Sequence, residues 1–159
     1  MLRTVLAVVL AIVIVGVVSP AFEDARIARS ESQTETELVR LRVAATELAR
    51  EQNVGARRTL ELSVPDESVT RASVAFVALG GVPDGQADTD TPHSDRLAYR
   101  VEGGDTHVFR LPVDLLVAGE NQASDANALV VHGGTVRLTL RLVRDGDRPV
   151  VAVEHSGSQ

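Results

Sequence analysis

Side chains able to bind a metal or move a proton are densest at Asp84, Asp88, Asp90, His93 and Asp95, in a stretch rich in Gly, Pro and Thr. Alternating carboxylates at Asp88 and Asp90 are the oxygen donors that a hard cation such as calcium takes. The mid-loop glycine and closing bidentate glutamate of an EF-hand are missing, so the plain reading is a solvated acidic loop. The four histidines, His93, His107, His132 and His155, show no metal-ligand spacing. There is no G-x-S-x-G elbow, no P-loop and no G-x-G-x-x-G opening a helix. The pairs Gly80-Gly81, Gly103-Gly104 and Gly133-Gly134 read as turns rather than phosphate cradles. With no Cys, a disulfide framework, a thiolate zinc or iron–sulfur site and a lipidated cysteine are excluded. The sequence thus names no catalytic, cofactor-binding or metal residue, and the expectation is a protein that is not an enzyme.

Composition narrows the partners. All 16 basic residues are Arg, against 22 acids, for a net charge of -6. An acidic, lysine-free chain rich in Val, Ala, Asp and Thr resembles the proteins of high-salt-adapted archaea, although a GC-rich bacterial genome also replaces Lys by Arg. A net negative body argues against nucleic acid and anionic lipid headgroups as main partners. Aromatics are only 3% of the residues, so the core must be built from Val, Leu and Ala.

The elements that would position these residues begin with Thr4 to Phe22, TVLAVVLAIVIVGVVSPAF. This stretch of about 19 uncharged residues would span about 28 Å as a helix, close to a bilayer's hydrocarbon thickness. It predicts a transmembrane anchor with the lipid bilayer as partner, an N-terminus in the cytoplasm and the remaining body outside the cell. A cleaved signal ending at Ser19-Pro20-Ala21 and prepilin-type processing are the alternatives. Pro20 predicts a kink or break near Gly16 to Pro20.

From Glu23 to Asn53 the pattern is an amphipathic helix. Thr34, Leu38, Leu41, Ala45 and Leu48 form its stripe, and Glu37–Arg40 and Glu47–Arg50 stand at pairing distance on its outer side. After Gly55 the period changes from 3.6 to 2. Roughly six or seven short strands are expected, around Leu60–Val64, Ser73–Leu79, Leu97–Glu102, Thr106–Leu111, Val136–Leu142 and Val150–Glu154, with Val113–Ala118 and Leu129–Val131 as shorter apolar pieces. Gly103-Gly104 and Asp145-Gly146 supply two-residue hairpin turns. Gly80 to Asp95 and Gly119 to Asn127 are surface loops. The predicted organisation is a transmembrane anchor at 1–22, an amphipathic helix at 23–55, an antiparallel β domain at 56–155 and a flexible tail at 156–159. The fold class expected is α+β: a long N-terminal helix, transmembrane then amphipathic, followed by a small antiparallel sheet or sandwich.

An apolar helix with a proline near its end, running into an amphipathic helix and then an antiparallel β domain, resembles type IV pilins and pseudopilins. The layout also looks like small single-span exported proteins of haloarchaea. Pilins carry Gly or Ala before a cleavage point and a Glu early in the apolar run; here Arg3-Thr4-Val5 occupies the first position and no acid precedes Glu23. The resemblance implies a membrane-anchored accessory component of a surface, pilus or secretion apparatus. The alternative expectation is an anchored extracellular module whose β domain binds a ligand or protein.

Overall fold

The computed structural model describes residues 2–51, 53–83, 94–118 and 128–156, with the side chains of residues 2, 4, 8, 9, 11–20, 94, 118 and 156 lying outside that description. One helix, α1 (Leu2–Arg50), precedes strands β1 (Arg57–Val64), β2 (Val74–Leu79), β3 (Ser94–Val101), β4 (Thr106–Ala118), β5 (Leu129–Val131), β6 (Gly134–Asp145) and β7 (Arg148–Ser156). The strands form a single seven-stranded sheet in the order β1-β6-β7-β4-β3-β2-β5.

Two parts of the expected fold class are corrected. The sheet is mixed rather than antiparallel, because β4 and β7 run parallel, Asp114 opposite Val150 through Ala118 opposite Glu154. There is one sheet covered by a helix, not a sandwich. The parallel pair joins strands far apart in sequence, which needs a long crossover and leaves no mark in local periodicity. The second correction concerns the expected span Thr4 to Phe22. Among the described residues no helix is long and apolar enough to cross a membrane. The continuously described part of α1, residues 21–50, bears Glu23, Asp24, Arg26, Arg29, Glu31 and further charges at every turn. Side chains of residues 11–20, the middle of the expected span, lie outside the described residues. The helix assignment passes through Pro20 without a break.

The stripe is buried on the sheet. Leu38, Leu41, Ala45 and Leu48 are each no more than 2% exposed and pack with Leu62, Leu138, Leu140, Tyr99 and Val151. Burying three such leucines contributes roughly 5–9 kcal/mol, comparable to the stability of a whole small domain. Two polar residues share this face. The Thr34 hydroxyl donates to the Ser30 carbonyl, and the Ser30 hydroxyl donates to the Ala72 carbonyl, both at 2.8 Å. Buried hydroxyls satisfied in this way do not penalise the interface. Arg26 fastens the same turn of helix: its Nη2 donates to the carbonyls of Ser68 and Arg71 at 2.9 and 3.1 Å. At the other end Gly55 takes φ 93°, a conformation that suits glycine. Its N–H donates to the Leu142 carbonyl at 2.8 Å, so the chain leaves the helix straight into the sheet.

Thr106–Leu111 and Val113–Ala118, expected as separate pieces, are one strand. Pro112 has no N–H to give, and it sits in the register shift of the β3–β4 ladder, between Arg96 opposite Arg110 and Ser94 opposite Leu115. Residues 106–110 and Leu115 pair with β3 on one edge, and residues 114–118 pair with β7 on the other. A proline is tolerated at such an irregular point of a ladder. The Gly103-Gly104 turn is also longer than predicted. Tyr99 stands opposite His107 and Arg100 opposite Thr106, which leaves three residues, 102–104, in the loop. With two, Tyr99 would face Val108, whose side chain points to the opposite face.

Candidate functional site

The register of the β3–β4 hairpin assembles the clearest cluster of titratable and aromatic groups among the described residues. Tyr99 on β3 and His107 and Phe109 on β4 all point toward α1. Tyr99 stacks on His107 with ring centroids 4.9 Å apart and on Phe109 at 5.9 Å. From the helix, Glu31 brings Oε1 to 3.3 Å from His107 Nε2. The hairpin tip presses on the same turn of helix: a Cβ on Gly104 would meet Glu31 Oε1 at 2.9 Å and Ile27 at 3.3 Å. Gly103, at φ 80°, would meet Ile27 at 3.2 Å. Glycine at both positions lets the hairpin tip lie against the Glu31 and Ile27 side chains without displacing them, and at Gly103 it also takes the positive φ.

Burial is the first cause of a raised Tyr99 pKa, pushed up to about 12, with the Glu31 and Glu35 carboxylates adding to it. The phenol is therefore held neutral, as expected for a ring that is 2% exposed. An imidazole against one carboxylate, stacked on a neutral tyrosine, ties helix to hairpin. A second tie lies at the helix end, where Arg58 of β1 reaches Glu47 at 2.5 Å and Glu51 at 3.9 Å. The hydrogen bond to Glu47 raises the Arg58 pKa above its ordinary value.

The acidic cluster singled out in the sequence is tested only at one end. Asp84, Asp88, Asp90 and His93 lie outside the described residues, as does the loop Gly119 to Asn127, while Asp95 stands at the start of β3. Among the described residues no three His, Asp or Glu side chains gather as a metal site would require. His132 is exposed beside the Gly133-Gly134 turn, where the Gly134 N–H donates to Asp66 at 3.1 Å. His155 lies on β7 opposite Leu138. The Tyr99–His107–Glu31 cluster could not be found by spacing, because it depends on a hairpin register one residue away from the simplest one.

These features define a domain in which one long helix lies across a seven-stranded mixed sheet and is clamped there by polar and aromatic contacts. The chain belongs to the family described as domain of unknown function DUF7311, which matches residues 1–156. No curated protein and no solved structure matches it.

Proposed function

We propose that this protein is a non-catalytic, pilin-like accessory component of a surface or secretion apparatus, in which the first part of α1 docks against other proteins and the sheet domain is presented outward. The observation that carries this reading is the division of one continuous helix. From Ile27 onward a face of α1 is committed to its own sheet, whereas the described side chains before Arg26 are exposed. Val5, Leu6 and Leu10 are 61%, 69% and 60% exposed, and Phe22 is half exposed. Val5, Leu6 and Leu10 fall within two turns of one helix, and exposed apolar side chains grouped in this way are a surface for association. Its small residue Ala7, beside Leu6, lets a second helix approach closely. No acid precedes Glu23, so the helix lacks the early carboxylate of the pilins it resembles. That favours a minor role at low stoichiometry over a filament shaft.

The test places a photo-crosslinking amino acid at Leu6, and separately at the exposed Val69 of the sheet domain, in cells producing the full chain at native levels. A discrete adduct with a different protein from Leu6, absent from Val69, is expected. Protein adducts from Val69 alone would favour the alternative, a β module that binds a ligand or protein. Lipid adducts alone from Leu6, or long ladders of this chain, would overturn the accessory role.

A further inference from the structure

The helix covers one face of the sheet, and the opposite face is laced with arginines. Alternation along the strands puts Arg57 of β1, Arg141 of β6, Arg110 of β4 and Arg96 of β3 on that side. Two arginine pairs stand directly across from each other in register, Arg57 opposite Arg141 and Arg96 opposite Arg110. Like charges directly opposite on neighbouring strands destabilise a sheet. In a chain with 22 acids to 16 arginines, a carboxylate would be the commoner neighbour by composition alone. For Arg57 and Arg141 no compensating ion pair is present among the described residues, so their juxtaposition adds nothing to fold stability.

Three of these arginines, Arg57, Arg110 and Arg141, keep donors that the described residues of the fold do not use. Arg57 and Arg110 are exposed, and among the described residues neither has an ion-pair partner. The Nε of Arg141 is buried with no hydrogen-bond partner among the described residues. Beside the first pair lies an apolar patch, since Arg141 stands opposite Ala152 and Ala152 opposite Leu116; Pro112 and Asp114 separate Leu116 from Arg110 along β4. Beside Arg110, Val108 is 48% exposed, and Arg100 lies over the Phe76 ring at 5.2 Å.

We propose that this helix-free face docks a carboxylate-rich surface or segment of another protein, whose carboxylates the guanidiniums grip. Charge complementarity selects this occupant. The guanidinium fork matches a carboxylate bidentately and tolerates partial burial, which is why arginine is enriched in protein interfaces. A uniform polyanion such as nucleic acid, or an anionic lipid surface, fits less well. Glu61, Asp114 and Glu154 stand among the arginines on the same face, and the whole chain carries -6. A protein surface mixing carboxylates with apolar groups matches a face on which arginines are interspersed with Ala152, Leu116 and Val108. This inference does not depend on what the first part of α1 contacts.

The test uses the full chain with three probes at ~0.15 M salt, where weak long-range attraction is largely screened. The probes are a dye-labelled oligoglutamate peptide, a duplex DNA of similar charge, and vesicles of phosphatidylcholine with phosphatidylglycerol. The oligoglutamate is expected to bind, and to lose affinity by about fivefold or more in the double variant Arg57→Gln/Arg110→Gln. The charge-matched double variant Arg29→Gln/Arg42→Gln, on the outer side of α1, is expected to change it by less than about twofold. The melting temperature of Arg57→Gln/Arg110→Gln should stay at or above the parent's, because like-charge contacts are relieved. Equal losses in the two double variants, no oligoglutamate binding, tighter binding of the DNA or vesicles, or a lowered melting temperature would each overturn the proposal.

Discussion

Tyr99 permits an unusually clean titration. It is the only tyrosine in a chain with no lysine and no cysteine, so between pH 10 and about 12 no other side chain of ordinary pKa changes charge. In the folded protein its pKa is raised from 10.0 to about 12, first by burial and then by the Glu31 and Glu35 carboxylates. At a pH between those values the folded state carries about 100-fold less phenolate, relative to phenol, than the unfolded chain. The sign follows directly. Below pH 10 both states hold the proton and stability is unaffected; as the pH rises from 10 through about 12, the unfolded state loses the proton first and stability falls. Urea midpoints measured across this range should decline in the parent and stay nearly flat in Tyr99→Phe, which keeps the stacked ring. The tyrosinate absorbance of the folded protein should appear only near the upper end. Tyrosinate appearing near pH 10 in folded protein, or the same decline in Tyr99→Phe, would refute the placement of this ring beneath the helix.

Three further substitutions probe the helix–sheet contact. Leu41→Ala removes a 1% exposed side chain and is expected to cost about 2–5 kcal/mol, a melting shift of roughly 5–20 °C; Val39→Ala, 48% exposed on the outer side, should stay within about 0.5 kcal/mol. Ser30→Ala leaves the buried Ala72 carbonyl without its donor and should cost about 1–3 kcal/mol by chemical denaturation. Gly104→Ala drives a Cβ toward Glu31 and Ile27; it should destabilise by about 1 kcal/mol, and a double-mutant cycle with Glu31→Ala should show coupling between the two sites.

What the sequence made legible was the part of the molecule governed by local period. The stripe Thr34, Leu38, Leu41, Ala45 and Leu48 is the buried face of α1, because a 3.6-residue repeat leaves few other ways to hide those side chains. Val136, Leu138, Leu140 and Leu142 face the helix for the equivalent reason in a strand. Long-range pairing was not legible. Nothing near Asp114 or Val150 indicates that β4 and β7 run side by side in parallel, and Pro112 suggested a boundary where the β3–β4 ladder only shifts register. The Tyr99–His107 stack was hidden by one extra residue in the Gly103-Gly104 loop. The arginine pairs were hidden because Arg57 and Arg141 are neighbours only in the register of β1 with β6. The transmembrane expectation rested on the apolarity of Thr4 to Phe22 alone, and it is not upheld among the described residues.

The division of α1 is the claim on which the proposed role stands, and hydrogen exchange reads it residue by residue. In the isolated full chain, amides of residues 27–49 should exchange only on global unfolding, together with those of β6 and β7. Amides of residues 5–22 should exchange far faster, since the side chains described among them, Val5, Leu6, Ala7, Leu10, Ala21 and Phe22, are exposed and give the helix no tertiary support there. On incorporation into its native assembly the second group should become protected while the first is unchanged. Equal protection of both segments in the isolated chain, or no gain in residues 5–22 on assembly, would contradict the account.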